Sequence, residues 1–140
     1  MTILVSACLL GENCKYNGGN NRNERVLRYI AGHEVIPVCP EMLGGLPSPR
    51  KPVEWHDGRA VTRDGDDWTA EFRLGVSRAL ALIGNRHIDL AILQSRSPSC
   101  GVNQVYDGTF TGVKNPGQGA FAQALRERGI PLMDAEDVPE

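Results

Sequence analysis

The sequence predicts a single α/β domain with a mostly parallel sheet, and three observations support that prediction. Four short apolar segments rich in Ile, Val and Leu have the length of buried strands, and three segments between them have the apolar spacing of helices. Alternation of strands and helices implies right-handed crossovers within one doubly wound sheet. Because 140 residues can enclose one core, we expect a small three-layer, Rossmann-like domain that spans the whole chain.

The predicted elements follow one another in a regular order. Strands are expected at residues 3–7, 34–38, 90–93 and 130–133. Helices are expected at residues 23–31, 67–83 and 120–128. Asp66 or Thr69 is a candidate N-cap of the second helix, and Gly129 with Pro131 ends the third.

One or two β-hairpins are expected as insertions into this pattern. Asp57-Gly58 is a strong two-residue turn signal within residues 53–62. A second hairpin is expected around Asp107-Gly108, with Tyr106 before the turn and Thr109-Phe110 after it. The acidic segment 134–140 is expected to fray.

The charge balance and the apolar pattern exclude two classes of partner. Fifteen basic and 17 acidic residues give a net charge of -2, which argues against binding long nucleic acid but leaves a single nucleotide or small anion open. No apolar run is long enough to cross a bilayer. The N-terminus becomes apolar without a preceding basic segment, so we expect a first strand there instead of a signal peptide, and a cytoplasmic protein.

Three of the four cysteines follow predicted strands. Cys8 follows the first strand, Cys39 follows the second, and Cys100 lies a few residues beyond the third. In a parallel sheet the carboxyl ends of the strands share one edge, where ligands of such folds bind. We therefore expect the three thiols to meet there, around one metal centre. The fourth, Cys14, has polar neighbours and is expected to be a bystander in a surface loop.

Several roles remain open for these cysteines on residue type alone. They can pack in the core as small apolar side chains. A phosphatase loop of the C-x5-R type is excluded because Cys14, Gly45 and Tyr106 stand where its arginine is required. A Cys–His nucleophile pair would need His33, His56 or His87, none of which lies in a recognisable motif. Three thiolates suit an iron–sulfur cluster or, less well, a structural zinc ion.

The motifs around the cysteines resemble a known family. The segments that carry the resemblance are Ser6-Ala7-Cys8-Leu9-Leu10-Gly11, Cys14-Lys15-Tyr16-Asn17-Gly18, Cys39-Pro40-Glu41, residues 44–50 (Gly-Gly-Leu-Pro-Ser-Pro-Arg), Ser97-Pro98-Ser99-Cys100-Gly101, Tyr106-Asp107-Gly108-Thr109-Phe110 and Gly117-Gln118-Gly119. Together they are similar to the thiouracil desulfidase family over nearly the whole chain. The chain departs from the family pattern at Gln94, where relatives often have lysine.

The resemblance implies a [4Fe–4S] enzyme that removes sulfur from thiolated uracil compounds without net redox chemistry. Cys8, Cys39 and Cys100 would hold the cluster and leave one iron open as a Lewis acid. Glu41 and Ser97 would be the catalytic side chains, with Glu41 as the general base for water. We expect no second domain for polynucleotides in a chain of this length, and therefore expect 4-thiouridine monophosphate or free thiouracil as the substrate. A cluster-dependent (de)hydratase and a non-catalytic iron–sulfur or zinc protein are the alternatives.

A nucleotide substrate would also need groups that bind its phosphate and base. Glycine-rich loops offer backbone amides to an anion, and an arginine can pair with it. On that basis the expected phosphate-binding residues are Asn17, Gly18, Gly44, Gly45 and Arg50. Arg96 is a further candidate for the phosphate, and Trp55 either stacks on a base or covers core.

Overall fold

The computed structural model describes all 140 residues, and its elements alternate as expected. The eight strands are β1 (Thr2–Ser6), β2 (Glu34–Val38), β3 (Val53–His56), β4 (Arg59–Thr62), β5 (Leu90–Leu93), β6 (Gln104–Tyr106), β7 (Lys114–Pro116) and β8 (Leu132–Asp134). The four α-helices are α1 (Glu24–Ile30), α2 (Pro40–Leu43), α3 (Thr69–Ile83) and α4 (Ala120–Glu127). Two 3₁₀ turns cover Ala7–Leu10 and Ala135–Asp137. None of the helices combines the length and the apolarity that a membrane span requires.

Four strands form the central sheet, in the order β2-β1-β5-β8, and every neighbouring pair in it is parallel. The predicted α/β class with a mostly parallel sheet is confirmed. β2 and β5 have the predicted bounds, and the other two strands are shifted by one or two residues. The short helix α2 was not expected; Pro40 at its first turn supplies a backbone angle already suited to a helix.

Both faces of this sheet are covered, because successive side chains of its strands point to opposite faces and are apolar on both. Leu4, Ala91 and Leu93 face α3 and α4, where they pack against Ala79 and Phe121. The residues that alternate with them face α1 and the C-terminal segment; they are Ile3, Val5, Leu90 and Ile92, packed against Val26, Ile30 and Val138.

The first predicted hairpin is confirmed, whereas the second has a different return strand. Asp57 and Gly58 both have positive φ (48° and 76°), as a type I′ turn between β3 and β4 requires. After β6 the chain forms a loop over residues 107–113, and the return strand is β7 instead of Thr109-Phe110. The reason is local, because the Asp107 carboxylate accepts hydrogen bonds from the Thr109 amide and hydroxyl and thereby competes with strand pairing.

The C-terminal segment is docked on the domain, contrary to the expectation that residues 134–140 fray. Ala135 and Val138 are buried in the apolar cluster beside α1. Asp134 is buried as well, and its carboxylate accepts hydrogen bonds from the Ser95 hydroxyl and the Glu136 amide. Acidic composition was therefore misleading, since two apolar side chains anchor the segment.

Candidate active site

A cavity of about 860 Å³ opens at the carboxyl edge of the central sheet, and all four cysteines line it. Cys8 lies in the turn after β1, Cys39 directly follows β2, and Cys100 lies in the loop after β5. β1 and β5 are neighbours from which the chain crosses over to opposite sides, so the cavity lies at the topological switch point where ligands of this fold class bind. All four thiols are free.

Cys14 lines the cavity, and the expectation that it lies in a surface loop is wrong. Its residue is only 8% exposed, and its thiol lies within hydrogen-bonding reach of both Cys8 and Cys39. The loop that carries it folds back over the first turn, because Asn21 N donates to Cys8 O (2.9 Å) and Asn23 N donates to Leu9 O (3.0 Å). Polar neighbours in the sequence did not show that this loop returns to the sheet edge.

The three neighbouring thiols differ in how readily they ionise. The pKa of the Cys8 thiol is lowered to about 7. The largest cause is the hydrogen bond with Cys14, which outweighs the opposing effect of burial. The Asn21 amide adds to this, with Nδ2 3.5 Å from the sulfur. Cys14 likewise lowers the pKa of Cys39. The pKa of Cys14 itself is raised by its contacts with the Cys39 and Cys8 thiols and by burial, which favour its protonated form.

The loop that carries Cys100 is held by its own serine and by the start of α4. Ser97 Oγ accepts hydrogen bonds from Ser99 N (3.1 Å) and Cys100 N (3.0 Å). The Phe121 amide donates to Ser99 O, and Gly119 packs so closely that a Cβ there would lie 2.4 Å from Ser99 C. Burial raises the pKa of Cys100 above its ordinary value, so a cation is needed to favour its thiolate.

Glu41 is the carboxylate beside the thiols, and both of its oxygens have partners. Arg50 Nε donates to Oε1 (3.0 Å), and Ser99 Oγ donates to Oε2 (3.0 Å). The side chains of Arg50 and Glu41 are only 4% and 13% exposed. A carboxylate has about four lone-pair positions, so Glu41 can still accept a proton or a hydrogen bond from a bound molecule. Nothing in the sequence distinguished Ser99 as a partner of Glu41, apart from its place in the Ser97–Gly101 motif.

The position of Glu41 depends on a close crossing of α2 and α3. A Cβ on Gly44 would lie 2.1 Å from Glu71 O, and one on Gly75 would lie 2.0 Å from Pro40 O. Only glycines allow the two backbones to approach this closely. The crossing sets α2, and with it Cys39 and Glu41, against the longest helix of the domain.

The residues predicted to bind phosphate are not brought to the cavity, except for Arg50. Neither Asn17, Gly18, Gly44 nor Gly45 lines it, and the amides of the three glycines donate to carbonyls within their own loops. The Arg50 guanidinium is occupied, because Nη2 donates to Cys14 O (3.0 Å) and Nη1 to Pro47 O (3.0 Å), besides the bond to Glu41.

The other sequence candidates have structural roles as well. Trp55 lies outside the cavity wall, where its indole nitrogen donates to Pro98 O (2.9 Å) and its ring packs edge-on against Phe72. Arg96 lines the cavity but pairs with Glu136 (2.7 Å). Gln94 also lines it.

The donor set of the site is rich in sulfur and poor in nitrogen, since no histidine lines the cavity. Thiolates are the ligands that iron–sulfur clusters and soft metal ions prefer. No three His, Cys, Asp or Glu side chains lie close enough together to bind a single metal ion. Beside the thiols, the arrangement can supply the Glu41 carboxylate and the Ser97 hydroxyl to a molecule bound in the cavity.

Thiols and one carboxylate gathered at the edge of a parallel sheet define the class of protein: a small α/β domain with a sulfur-lined ligand cavity. The family model described as 2-thiouracil desulfurase matches residues 3–137, and the chain belongs to that family. The resemblance found in the motifs is thereby confirmed.

Two relatives extend over almost the whole chain. The uncharacterized protein YbbK of Bacillus subtilis strain 168 is 34% identical over 146 residues, which cover 97% of each chain. A solved structure of the [4Fe–4S]-dependent thiouracil desulfidase TudS is 39% identical, with a TM-score of 0.91 over 99% of this chain and 93% of that one.

Proposed function

We propose that the protein is a [4Fe–4S]-dependent, non-redox desulfidase that acts on 4-thiouridine monophosphate or free thiouracil. The reaction exchanges sulfur for oxygen: the thiocarbonyl compound and water give the carbonyl compound and hydrogen sulfide, so no electron donor is needed. The observation that carries the proposal is the convergence of Cys8, Cys39 and Cys100 on one cavity in a chain of this family.

The chain's own donors fit an iron–sulfur cluster. Cys8, Cys39 and Cys100 come from three separate loops, so they approach the cavity from different sides. The lowered pKa values of Cys8 and Cys39 favour the thiolates that such a cluster requires. Cys14 is left out of the proposed ligand set because, unlike the other three cysteines, it does not follow a strand of the central sheet.

Glu41 is the proposed general base for the attacking water. A [4Fe–4S] cluster with three protein ligands supplies a Lewis-acidic iron suited to a soft sulfur atom. Arg50 and Ser99 each donate one hydrogen bond to the Glu41 carboxylate and so fix it, while each oxygen keeps a lone pair for a bound molecule. A base held in this way does not have to be reoriented when the substrate binds.

Ser97 is the proposed hydrogen-bond donor to the substrate. Its oxygen already accepts two amide hydrogen bonds, so its hydroxyl proton is the group left to donate. The serine lines the same cavity as Glu41. A donor there can hydrogen-bond the thiocarbonyl sulfur or the pyrimidine ring and pass a proton to the departing sulfur.

The test is anaerobic purification followed by reaction with three thiolated compounds. We expect a brown protein with about four irons and four acid-labile sulfides per chain, as a [4Fe–4S] cluster requires. Added 4-thiouridine monophosphate, 4-thiouracil or 2-thiouracil should lose its thiocarbonyl absorbance while one equivalent of sulfide appears. A loaded protein that transfers its cluster to an acceptor and releases no sulfide would be a carrier instead of an enzyme.

Matched cysteine variants test the ligand set. Cys39→Ala and Cys100→Ala should fail to hold iron after anaerobic reconstitution, whereas Cys14→Ala should keep the iron and sulfide content of the wild type. Loss of iron from Cys14→Ala together with full retention in Cys100→Ala would show that the ligand set is different. Circular dichroism checks that each variant is folded.

A further inference from the structure

The wall of the cavity carries two cations that have no acidic partner. The cationic side chains that line it are Lys15, Arg50, Lys51, Arg63 and Arg96. Carboxylates neutralise three of them: Arg50 pairs with Glu41, Lys51 with Asp64 and Asp66, and Arg96 with Glu136. Lys15 and Arg63 take part in no ion pair, so their charges are available to a ligand.

Both of these cations are held against aromatic rings of the same cavity wall. Lys15 Nζ lies 5.7 Å from the centre of the Tyr16 ring, and the Arg63 guanidinium lies 5.6 Å from the centre of the Phe110 ring. Arg63 Nη2 also donates to Phe110 O (3.0 Å). Contacts of this kind restrict the side chains without neutralising their charge.

The segments that carry the two cations are fixed by further hydrogen bonds. Lys15 O accepts from Ser48 Oγ (2.6 Å) and from Gly18 N (3.0 Å). Phe110 has a φ of 58°, a conformation that costs a bulky residue energy and that needs support from its surroundings. That support comes from Glu54, whose Oε1 accepts from the Gly108 and Phe110 amides.

We propose that Lys15 and Arg63 form an anion subsite that binds the 5′-phosphate of a thiolated mononucleotide. The inference rests on the proposed function and names the charged part of its substrate. The three carboxylates on the wall do not compete for these cations, since Glu41, Glu54 and Asp64 already accept from other donors. Arg50 is excluded from this role because its guanidinium is buried and bonded.

The proposal is tested with the holoenzyme and its Lys15→Gln and Arg63→Gln variants, singly and combined. For 4-thiouridine monophosphate, each single variant should raise KM roughly ten-fold or more and leave kcat unchanged, because a charge-assisted hydrogen bond to the phosphate is lost. For 4-thiouridine and 4-thiouracil, which have no phosphate, KM should not change. Arg59→Gln is the matched control, since Arg59 is an exposed cation of β4, four residues before Arg63, and does not line the cavity.

A binding measurement separates this proposal from the desulfidase proposal. Calorimetric titration with uridine 5′-monophosphate should show weaker binding in the variants, while binding of uridine stays the same. If the wild type releases no sulfide from any substrate, the desulfidase function fails and this titration alone decides on the anion subsite. Wild-type affinity of the double variant for uridine 5′-monophosphate, or an equal loss of affinity for uridine, would overturn the inference.

Discussion

The two sides of the cavity differ in burial and in how their charges are used. The inner wall (Cys8, Cys14, Cys39, Glu41 and Cys100) lies on the sheet edge, and its one charged side chain is 13% exposed and paired with Arg50. The outer wall (Lys15, Tyr16, Arg63 and Phe110) belongs to three loops, and both of its cations lack acidic partners. The difference predicts that reaction and recognition are separable: inner variants should alter kcat or the metal content, and outer variants should alter KM.

Of the variants that test the difference between the two walls, Glu41→Gln is expected to have the largest effect. Glutamine keeps the shape and can still accept from Ser99, but it cannot take a proton from water. We expect kcat to fall by roughly 10²–10⁴-fold, the usual worth of a general base, while KM and iron content stay near wild type. Steady-state kinetics and iron analysis of the loaded enzyme provide the measurement.

Glu12→Gln is the control for this variant, because Glu12 is an exposed acid in a neighbouring loop. Full activity of Glu41→Gln would remove Glu41 from the reaction. A large rise in KM with unchanged kcat would instead assign Glu41 to substrate binding, and the two walls would then no longer differ in function.

Cys14→Ala removes a hydrogen-bond donor from the inner wall, and we expect it to have a smaller effect, a change in the pKa of Cys8. Cys14 is the largest influence that lowers the pKa of Cys8 to about 7, so its removal should raise that pKa toward the ordinary value. Since only the thiolate reacts, alkylation of Cys8 in the cluster-free protein should reach its midpoint at a higher pH. Iodoacetamide labelling as a function of pH, read for the Cys8 peptide by mass spectrometry, measures the shift. An unchanged midpoint would show that Cys14 does not lower the pKa of Cys8.

The smallest effect on the reaction is expected from variants in the packing behind the inner wall, which should change stability instead. Gly44→Ala brings a methyl group within 2.1 Å of Glu71 O, so it should lower the free energy of unfolding by about 3 kcal/mol, at the upper end for overpacking. Gly45→Ala meets nothing within 4 Å, and its positive φ should cost only about 1 kcal/mol. Urea denaturation compares the two. Equal losses would mean that the close approach at Gly44 does not limit the packing of α2 against α3.

The fold and the meeting of three cysteines could be predicted because they follow from short-range patterns. Alternating strands and helices imply a parallel sheet, and a parallel sheet brings all of its carboxyl ends to one edge. Cys8, Cys39 and Cys100 each follow a strand, so their common location needed no further information. Their role as cluster ligands stays a prediction.

The remaining site residues depend on contacts between loops, which no local pattern encodes. Cys14 enters the site because its loop folds back over the first turn, through hydrogen bonds between backbone groups that any residue possesses. Arg50 was assigned to a phosphate on its charge, but the structure pairs it with Glu41. Lys15 and Arg63 were overlooked as a pair because only the folded chain shows which cations lack a carboxylate.

The hydrogen bond from Trp55 to Pro98 gives the domain a built-in optical reporter. The indole donates to a carbonyl two residues before Cys100, while its ring rests against Phe72 in a separate apolar cluster. Because indole emission is sensitive to this bond and to nearby absorbing groups, its intensity and wavelength should follow what happens in the Cys100 loop. In a Trp68→Phe background, which removes the other tryptophan of the chain, loading of the thiol site should therefore change the fluorescence of Trp55, without any attached dye.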